Sequence, residues 1–192
     1  MGRTSNPIID HTGGEGGIVQ TASGKLLAVL RYQRLRLATE SLDVMERTGT
    51  IPVHGNQQNV RAVYKHIFLA DSEDEGRTWK NVRQLTVVFG QCYGYPAALS
   101  DGTVVVVYDT RYGPGADCTR AMISRDEGQT WQDEAYYLAH GKGASGYTQS
   151  VTLDDDTIVT VSGTSDRTDG DGSWSSWTGH TDMTVIRWRP VD

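Results

Sequence analysis

The chain has 192 residues, of which 37% are hydrophobic and 22 are glycine, and its formal net charge is −6. That length suits one ordinary domain, and the negative charge argues against partners such as nucleic acid or an anionic membrane. No apolar run approaches the roughly 18 residues of a membrane-spanning helix. The first residues also lack the apolar stretch of a signal peptide, so the localisation stays unknown.

The beginning of the chain reads as a lead-in followed by a first structural unit. Residues 1–14 are polar and glycine-rich, and we expect them to be irregular. The first unit then covers about residues 15–90. Its segment 35–44 is compatible with a short helix or an irregular insert, and we favour a loop, because glycine and proline punctuate the flanking sequence. Four strands are predicted in this unit, at about 15–21, 25–31, 61–70 and 85–89.

Two further units follow with the same order of strands, at about 91–140 and 141–192. The second is predicted to have four strands and the third has only three. The predicted strands are 93–99, 103–108, 118–123 and 135–138 in the second unit, and 147–153, 157–161 and 184–188 in the third.

A recurring phrase supports this division into units. In each unit a short turn is followed by an apolar, β-branched run, which is a hairpin signal. The turns are Ser23-Gly24, Asp101-Gly102 and Asp155-Asp156. A pattern that recurs once in every several tens of residues is typical of repeat architectures. The sequence therefore predicts an all-β protein built from three repeating units.

One eight-residue pattern, Ser-x-Asp-x-Gly-x-Thr-Trp, occurs twice. We call Ser72–Trp79 box 1 and Ser124–Trp131 box 2; they are 52 residues apart. Asp and Gly favour turn backbone, the hydroxyls close local hydrogen bonds, and Trp can pin the turn onto a sheet. Since every position has a local structural task, we interpret the boxes as turns that join strands, not as catalytic groups.

The boxes resemble the Asp-box, or bacterial neuraminidase repeat, of the sialidase (neuraminidase) superfamily. The resemblance covers about residues 13–191 and implies a six-bladed β-propeller with four-stranded antiparallel blades, of which this chain resembles the last three. The third unit lacks a box and a fourth strand, as in a closing blade completed by another segment. Non-catalytic propellers carry the same boxes, so the boxes alone do not imply activity.

Hairpin spacing indicates where a site would lie in such a fold. Positions eight residues before and after the turn residues Ser23, Asp101 and Asp155 lie at the strand ends far from the turns. These positions are Glu15, Tyr93 and Tyr147 before the turns, and Arg31, Asp109 and Gly163 after them. Because the innermost strands of a propeller converge on its axis, these residues are expected to cluster at one mouth of the channel, opposite the boxes.

The resemblance to sialidases implies roles for three residues at this mouth. Tyr147 matches the tyrosine nucleophile, Glu15 the glutamate that activates it, and Arg31 an arginine that grips the substrate carboxylate. Glu15 and Arg31 are sixteen residues apart across one hairpin, as in the family. The implied activity is that of a retaining exo-α-sialidase, a tyrosine-dependent exception among glycoside hydrolases. The implied partner is sialic acid or a related acidic sugar.

Other positions are assigned less specifically. The third arginine of the family triad is either Arg120, in a predicted strand, or Arg111, in the preceding loop. Tyr93 shares the mouth, and Trp174 either stacks on a sugar or caps the last blade. The two cysteines show no metal-ligand spacing, and the histidines show no partner spacing, so neither a metal site nor a cofactor is expected.

The family pattern is also incomplete in this sequence. The first arginine and the acid/base aspartate come from early blades that this sequence does not contain. Two arrangements stay open: the chain is the C-terminal portion of a longer protein, or two copies form a homodimer that closes the ring. A non-catalytic Asp-box module that binds glycans or proteins is the alternative function.

Overall fold

The structure, a computed structural model, describes residues 15–35, 63–86, 91–110, 118–140, 148–165 and 181–191. Every regular element within these ranges is a β-strand, and the strands form three antiparallel sheets. The all-β prediction is therefore confirmed. In the same ranges no helix is long and apolar enough to cross a membrane.

The three sheets follow one another along the chain, and strands that are adjacent in sequence are also neighbours in each sheet. Sheet 1 contains β1 (Gly16–Gln20), β2 (Leu26–Leu35), β3 (Val63–Ser72) and β4 (Lys80–Gln84). Sheet 2 contains β5 (Gln91–Ala98), β6 (Val104–Thr110), β7 (Cys118–Ser124) and β8 (Gln132–His140). Sheet 3 contains β9 (Thr148–Thr152), β10 (Ile158–Ser165) and β11 (Thr181–Trp188).

The sheets stack face to face, with sheet 2 in the middle. Its first strand, β5, packs against β1 on one side and β9 on the other. Between sheets 1 and 2 lies a core of buried side chains: Leu27, Val29, Ile67, Leu69, Leu85, Val104, Val106 and Tyr108. Between sheets 2 and 3 lies a second core: Val105, Val107, Ala121, Ile123 and Ile158. Alternate residues of β6 thus face opposite cores. This arrangement is consistent with consecutive blades of a partial propeller.

The predicted fourth strand of the first unit was wrong. We expected it at 85–89, but β4 begins at Lys80, directly after the Trp that ends box 1. The box is a tight turn, so the chain can pair back on β3 at once, as the contact of Asp71 with Lys80 shows. The exposed, polar β4 lacks the apolar signal on which the prediction relied, and the apolar residues that follow it misled the assignment.

Both boxes form the same hydrogen-bonded turn. In box 1 the Ser72 hydroxyl donates to Asp74 Oδ1 over 2.8 Å and accepts from Gly76 N over 2.9 Å. Asp74 also accepts from the backbone and the hydroxyl of Thr78, at 2.8 and 2.6 Å. Gly76 has a φ of 82°, a conformation that favours glycine. The sequence-based interpretation of box 1 as a turn between strands agrees with this geometry.

Box 2 repeats these bonds around Ser124 and Asp126. In addition, Trp131 Nε1 donates to the carbonyl of Gly128 over 3.2 Å. In box 1 the hydrogen bonds from Thr78 and Ser72 lower the pKa of Asp74 to about 2. In box 2 partial burial raises the pKa of Asp126, but the hydrogen bonds outweigh this effect and bring it to about 2. Both carboxylates are therefore ionised structural acceptors.

Candidate functional site

The mouth of the sheet stack, at the strand ends far from the boxes, brings Glu15 and Arg31 together. The two residues follow the β1–β2 register, and Arg31 N donates to the carbonyl of Glu15 over 2.9 Å. Their side chains form an ion pair between Arg31 Nη1 and Glu15 Oε2. The guanidinium is only 20% exposed and the carboxylate 30%. The hairpin thus presents a half-buried acid–base pair at its open end.

The guanidinium of Arg31 is only partly used by this ion pair. Its Nε is buried, and no group in the described ranges accepts a hydrogen bond from it. A buried N–H without an acceptor is costly, and such groups in native structures call for an explanation. An arginine fork can bind a carboxylate through two parallel hydrogen bonds. The ion pair with Glu15 therefore leaves part of the hydrogen-bonding capacity of Arg31 unused within the described residues.

A second arginine, Arg120, lies in the cleft between sheets 1 and 2. Strand alternation places Arg31 on the face of β2 that carries Val29, which packs in the first core. Arg120 shares the face of β7 with Met122, which packs against that core from the opposite side. Arg120 is paired across the strand with Tyr108 and is half-buried. The two arginines thus come from facing sheets and lie toward the same end of the strands.

Tyr93 lies in β5, the strand that bridges the two neighbouring sheets. The register of β5 and β6 is irregular between Gln91 and Gly94, so Tyr93 is not in regular pairing. The next residue, Gly94, approaches sheet 1 closely. A Cβ at position 94 would lie 2.8 Å from Val29 Cγ1 and 3.1 Å from Ile67 Cδ1. Glycine is therefore required there, and it brings the Tyr93 backbone close to sheet 1.

The remaining predicted site residues, Tyr147, Arg111 and Trp174, lie outside the described residues. The strand that follows Tyr147 is nevertheless well anchored. Thr148 is fully buried, and its hydroxyl donates to the carbonyl of Val107 over 3.4 Å. Since β9 begins at Thr148, this bond ties the chain immediately after Tyr147 to the middle sheet.

A buried hydroxyl pair near the same strand ends was missed by the sequence reasoning. Thr119 Oγ1 and Ser162 Oγ are 2.7 Å apart and join sheets 2 and 3. Both residues are fully buried. A hydroxyl residue in a strand carries no sequence signal that distinguishes an internal pair from an exposed side chain, so this contact could not be predicted.

The opposite face, near the boxes, contains a polar cavity of about 510 Å³ lined in part by Lys25, Asp71 and Glu127. Its charged groups are already engaged. Lys25 Nζ donates to the carbonyl of Glu127 over 2.9 Å, and Asp71 accepts two hydrogen bonds from Arg83. In the part of the chain that the structure describes, no group of His, Cys, Asp and Glu side chains could hold a metal ion. We assign this cavity a structural role.

Comparison with known proteins gives the fold and no closer relationship. No protein-family model matches the chain, and no curated protein matches it. Among solved structures, a protein of unknown function from Dyadobacter fermentans superposes with a TM-score of 0.59 at 16% identity, covering 92% of this chain and 51% of that one.

Two enzymes superpose on this chain to a similar extent. The Hadza microbial sialidase Hz136 gives a TM-score of 0.54 at 16% identity, covering 95% of this chain and 33% of the sialidase. A polysaccharide lyase, an ulvan lyase, gives 0.55 at 15% identity, covering 95% of this chain and 41% of the lyase. The chain thus spans about half the length of these proteins or less. It shares the sialidase-like fold, and at this identity the likeness concerns the fold alone.

Proposed function

We propose that this chain contributes part of the active site of a sialidase-type glycoside hydrolase acting on a terminal acidic sugar. The observation that carries the proposal is the state of Arg31: a half-buried guanidinium at the mouth, with a buried Nε that lacks an acceptor among the described residues. An anionic sugar would supply that acceptor. This local positive group matters because the chain as a whole is negatively charged.

The proposed chemistry uses Tyr147 as the nucleophile and Glu15 as its base. A phenol attacks an anionic sugar without the charge repulsion that a carboxylate nucleophile would meet, but near neutral pH it needs a base to lose its proton. Attack by Tyr147 Oη on the anomeric carbon breaks the glycosidic bond and forms a glycosyl-tyrosine, which water then hydrolyses with net retention. A substrate carboxylate would compete with Glu15 for Arg31, so binding would loosen the ion pair as it brings the substrate into place.

Several finer assignments belong to the same proposal. The two boxes would be Asp-boxes. The three sheets, which span residues 15–192, would be three of the six blades of a ring. Arg120 is preferred over Arg111 as the further carboxylate ligand, because a strand fixes its direction. Tyr93 and Trp174 would contact the sugar. The acid that protonates the leaving group would come from elsewhere in the complete site.

Binding of sialic acid tests the proposal without requiring turnover. We expect N-acetylneuraminic acid to bind this chain, and Arg31→Lys to weaken binding at least about tenfold, since lysine lacks the planar fork. The methyl ester of the sugar should bind the unaltered chain as weakly as the free acid binds Arg31→Lys, because the ester lacks the carboxylate. Arg187→Lys, on the exposed face of β11, is the matched control and should leave the affinity unchanged. Equal binding of acid and ester would contradict the assigned role of Arg31.

A further inference from the structure

The polar cavity near the boxes adjoins a second one. The first cavity, of about 510 Å³, and its neighbour, of about 410 Å³, share Asp71, Asn81 and Gln129 in their walls. The second extends along β4 past Val82 and Arg83. Ligand pockets in proteins have volumes of about 300–1,000 Å³. The two cavities therefore form one groove of the size that a small ligand occupies, and we call it the box-side groove.

The wall of the box-side groove departs from the repeat at a buried position. Asp71 lies directly before box 1 and Ile123 directly before box 2, and each pairs with the first residue after its box. Ile123 is fully buried in the second core, and Asp71 is only 6% exposed. A carboxylate is thus buried where the same architecture accepts an apolar side chain. Since burial of a charge is costly unless the charge is paired, the packing of the sheets does not explain Asp71.

The groups that pair with Asp71 depart from the repeat as well. Arg83 donates to both oxygens of Asp71, over 3.0 and 3.2 Å, and Asn81 Nδ2 donates over 3.2 Å. Lys25 Nζ lies 4.0 Å from the same carboxylate. The second unit has Ala135, Asp133 and Thr103 at the corresponding positions. Natural proteins break their local patterns mainly at functional sites, so this network at a groove indicates a function beyond holding the sheets together.

The charges at the groove balance one another. Its walls and the residues paired with them carry three carboxylates and three cations, which are Asp71, Glu73, Glu127, Lys25, Lys80 and Arg83. Because these charges cancel, the groove has no net charge to attract an ion. An ionic ligand would also have to displace one of the existing pairs. The expected ligand is therefore neutral.

Several hydrogen-bonding groups of the groove remain available. Among the described residues, the side-chain amide of Gln129 has no partner, and Asn81 uses its Nδ2 but not its Oδ1. Lys25 Nζ donates one hydrogen bond, to the carbonyl of Glu127, and an ammonium group has three donors. Val82 adds an apolar side chain to the wall. Mixed donors and acceptors beside an apolar patch suit a sugar, whose hydroxyl groups both donate and accept and whose C–H face is apolar.

We propose that the box-side groove binds a neutral sugar, as a single hexose or a disaccharide unit of a glycan, through Lys25, Asn81 and Gln129. The bonds around Asp71 hold the groove in shape before the sugar arrives. The groove lies on the face opposite the mouth that contains Glu15 and Arg31. It is therefore a second site, and its function does not depend on the proposed hydrolase activity.

NMR titration of the ¹⁵N-labelled chain tests this site with four neutral disaccharides: lactose, maltose, cellobiose and mannobiose. We expect at least one of them to bind with a millimolar dissociation constant and to shift the side-chain amide signals of Asn81 and Gln129. Gln129→Ala should weaken this binding about three- to tenfold, since one hydrogen bond is lost. Asn81→Gly should do the same, because glycine tolerates the φ of 53° at this position. Gln132→Ala, which removes an exposed amide of β8 outside the groove, is the matched control and should leave the affinity unchanged.

Three results would overturn the proposal. The first is that none of the four disaccharides shifts the two amide signals. The second is binding that neither Gln129→Ala nor Asn81→Gly weakens. The third is an equal shift of these signals by N-acetylneuraminic acid, which would mean that the groove binds acids. Gln129→Ala should leave the binding of N-acetylneuraminic acid at the mouth unchanged, so failure of this proposal is distinguishable from failure of the proposed function. Gln129 is exposed, and the urea midpoint of each variant checks that its fold is retained.

Discussion

The contact between sheets 1 and 2 at box 2 leads to a prediction in which the two boxes control for each other. Gly128 and Gly76 occupy the same box position, with φ values of 84° and 82°. Each glycine N donates to the box serine, and alanine would keep that bond. The surroundings differ. A Cβ at position 128 would lie 2.8 Å from Leu27 Cδ2, whereas at position 76 the nearest atom, Leu26 Cδ1, is 3.6 Å away.

The magnitudes follow from these distances. Alanine at a positive φ costs about 1–2 kcal/mol, and Gly76→Ala should lower the free energy of unfolding by that amount. Gly128→Ala should incur the same strain and also crowd Leu27, which is fully buried in the core between sheets 1 and 2. Overpacking typically adds about 1–3 kcal/mol, so the total expected for Gly128→Ala is about 2–5 kcal/mol.

Urea unfolding of both variants beside the unaltered chain measures the difference. We expect Gly128→Ala to have the lower midpoint, with an unchanged dependence on urea concentration. Equal destabilisation by the two substitutions would refute the close packing of box 2 on Leu27. No destabilisation by either would refute the strained backbone assigned to both boxes.

Three further predictions concern hydrogen bonds of the boxes and cores. Glu127→Ala removes the hydrogen bonds that Glu127 accepts from the first hairpin turn of sheet 1, and it should lower the free energy of unfolding by about 1–3 kcal/mol. Glu75→Ala, the matched change in box 1, should change the free energy of unfolding by less than about 0.5 kcal/mol in thermal unfolding. The pKa of Asp126 is about 2 in the folded chain and 3.8 ordinarily, so its contribution to stability is present above about pH 4 and is lost as the pH falls toward 2. The stability of Asp126→Asn should therefore fall less steeply with decreasing pH, and an unchanged pH profile would contradict the assignment. Thr119→Val should lower the free energy of unfolding in chemical denaturation by about 1–3 kcal/mol, because it leaves the Ser162 hydroxyl unpaired. Adding Ser162→Ala should recover part of that loss, and additive effects of the two substitutions would contradict the pairing.

The features that the sequence predicted well are local. Ser, Asp, Gly and Thr in the boxes form their turn among themselves, so eight residues contain all the necessary information. The position of Glu15 opposite Arg31 follows from the turn at Ser23 and the strict alternation of an antiparallel hairpin. The all-β class was predictable for a similar reason, because each unit repeats a short turn followed by an apolar, β-branched run.

The features that the sequence did not reveal depend on contacts between sheets. The hydrogen bond from Thr21 to Glu127 joins residues 106 positions apart, and nothing in the local sequence distinguishes Glu127 from Glu75. The early start of β4 depends on its pairing with β3, while its own sequence is too polar to indicate a strand. The mouth is similarly non-local: the roles of Tyr147, Arg111 and Trp174 stay predictions, because these residues lie outside the described part of the structure.

The most direct test of the proposed function is the release of fluorophore from a fluorogenic α-sialoside by this chain, beside its Tyr147→Phe variant. The account predicts that any turnover the chain shows is abolished by Tyr147→Phe, while binding of N-acetylneuraminic acid persists in the variant. Turnover that survives Tyr147→Phe would contradict the assigned nucleophile. Because the acid that protonates the leaving group would come from elsewhere in the complete site, binding of sialic acid without turnover would agree with a partial site. Failure of the unaltered chain to bind sialic acid would contradict the proposal.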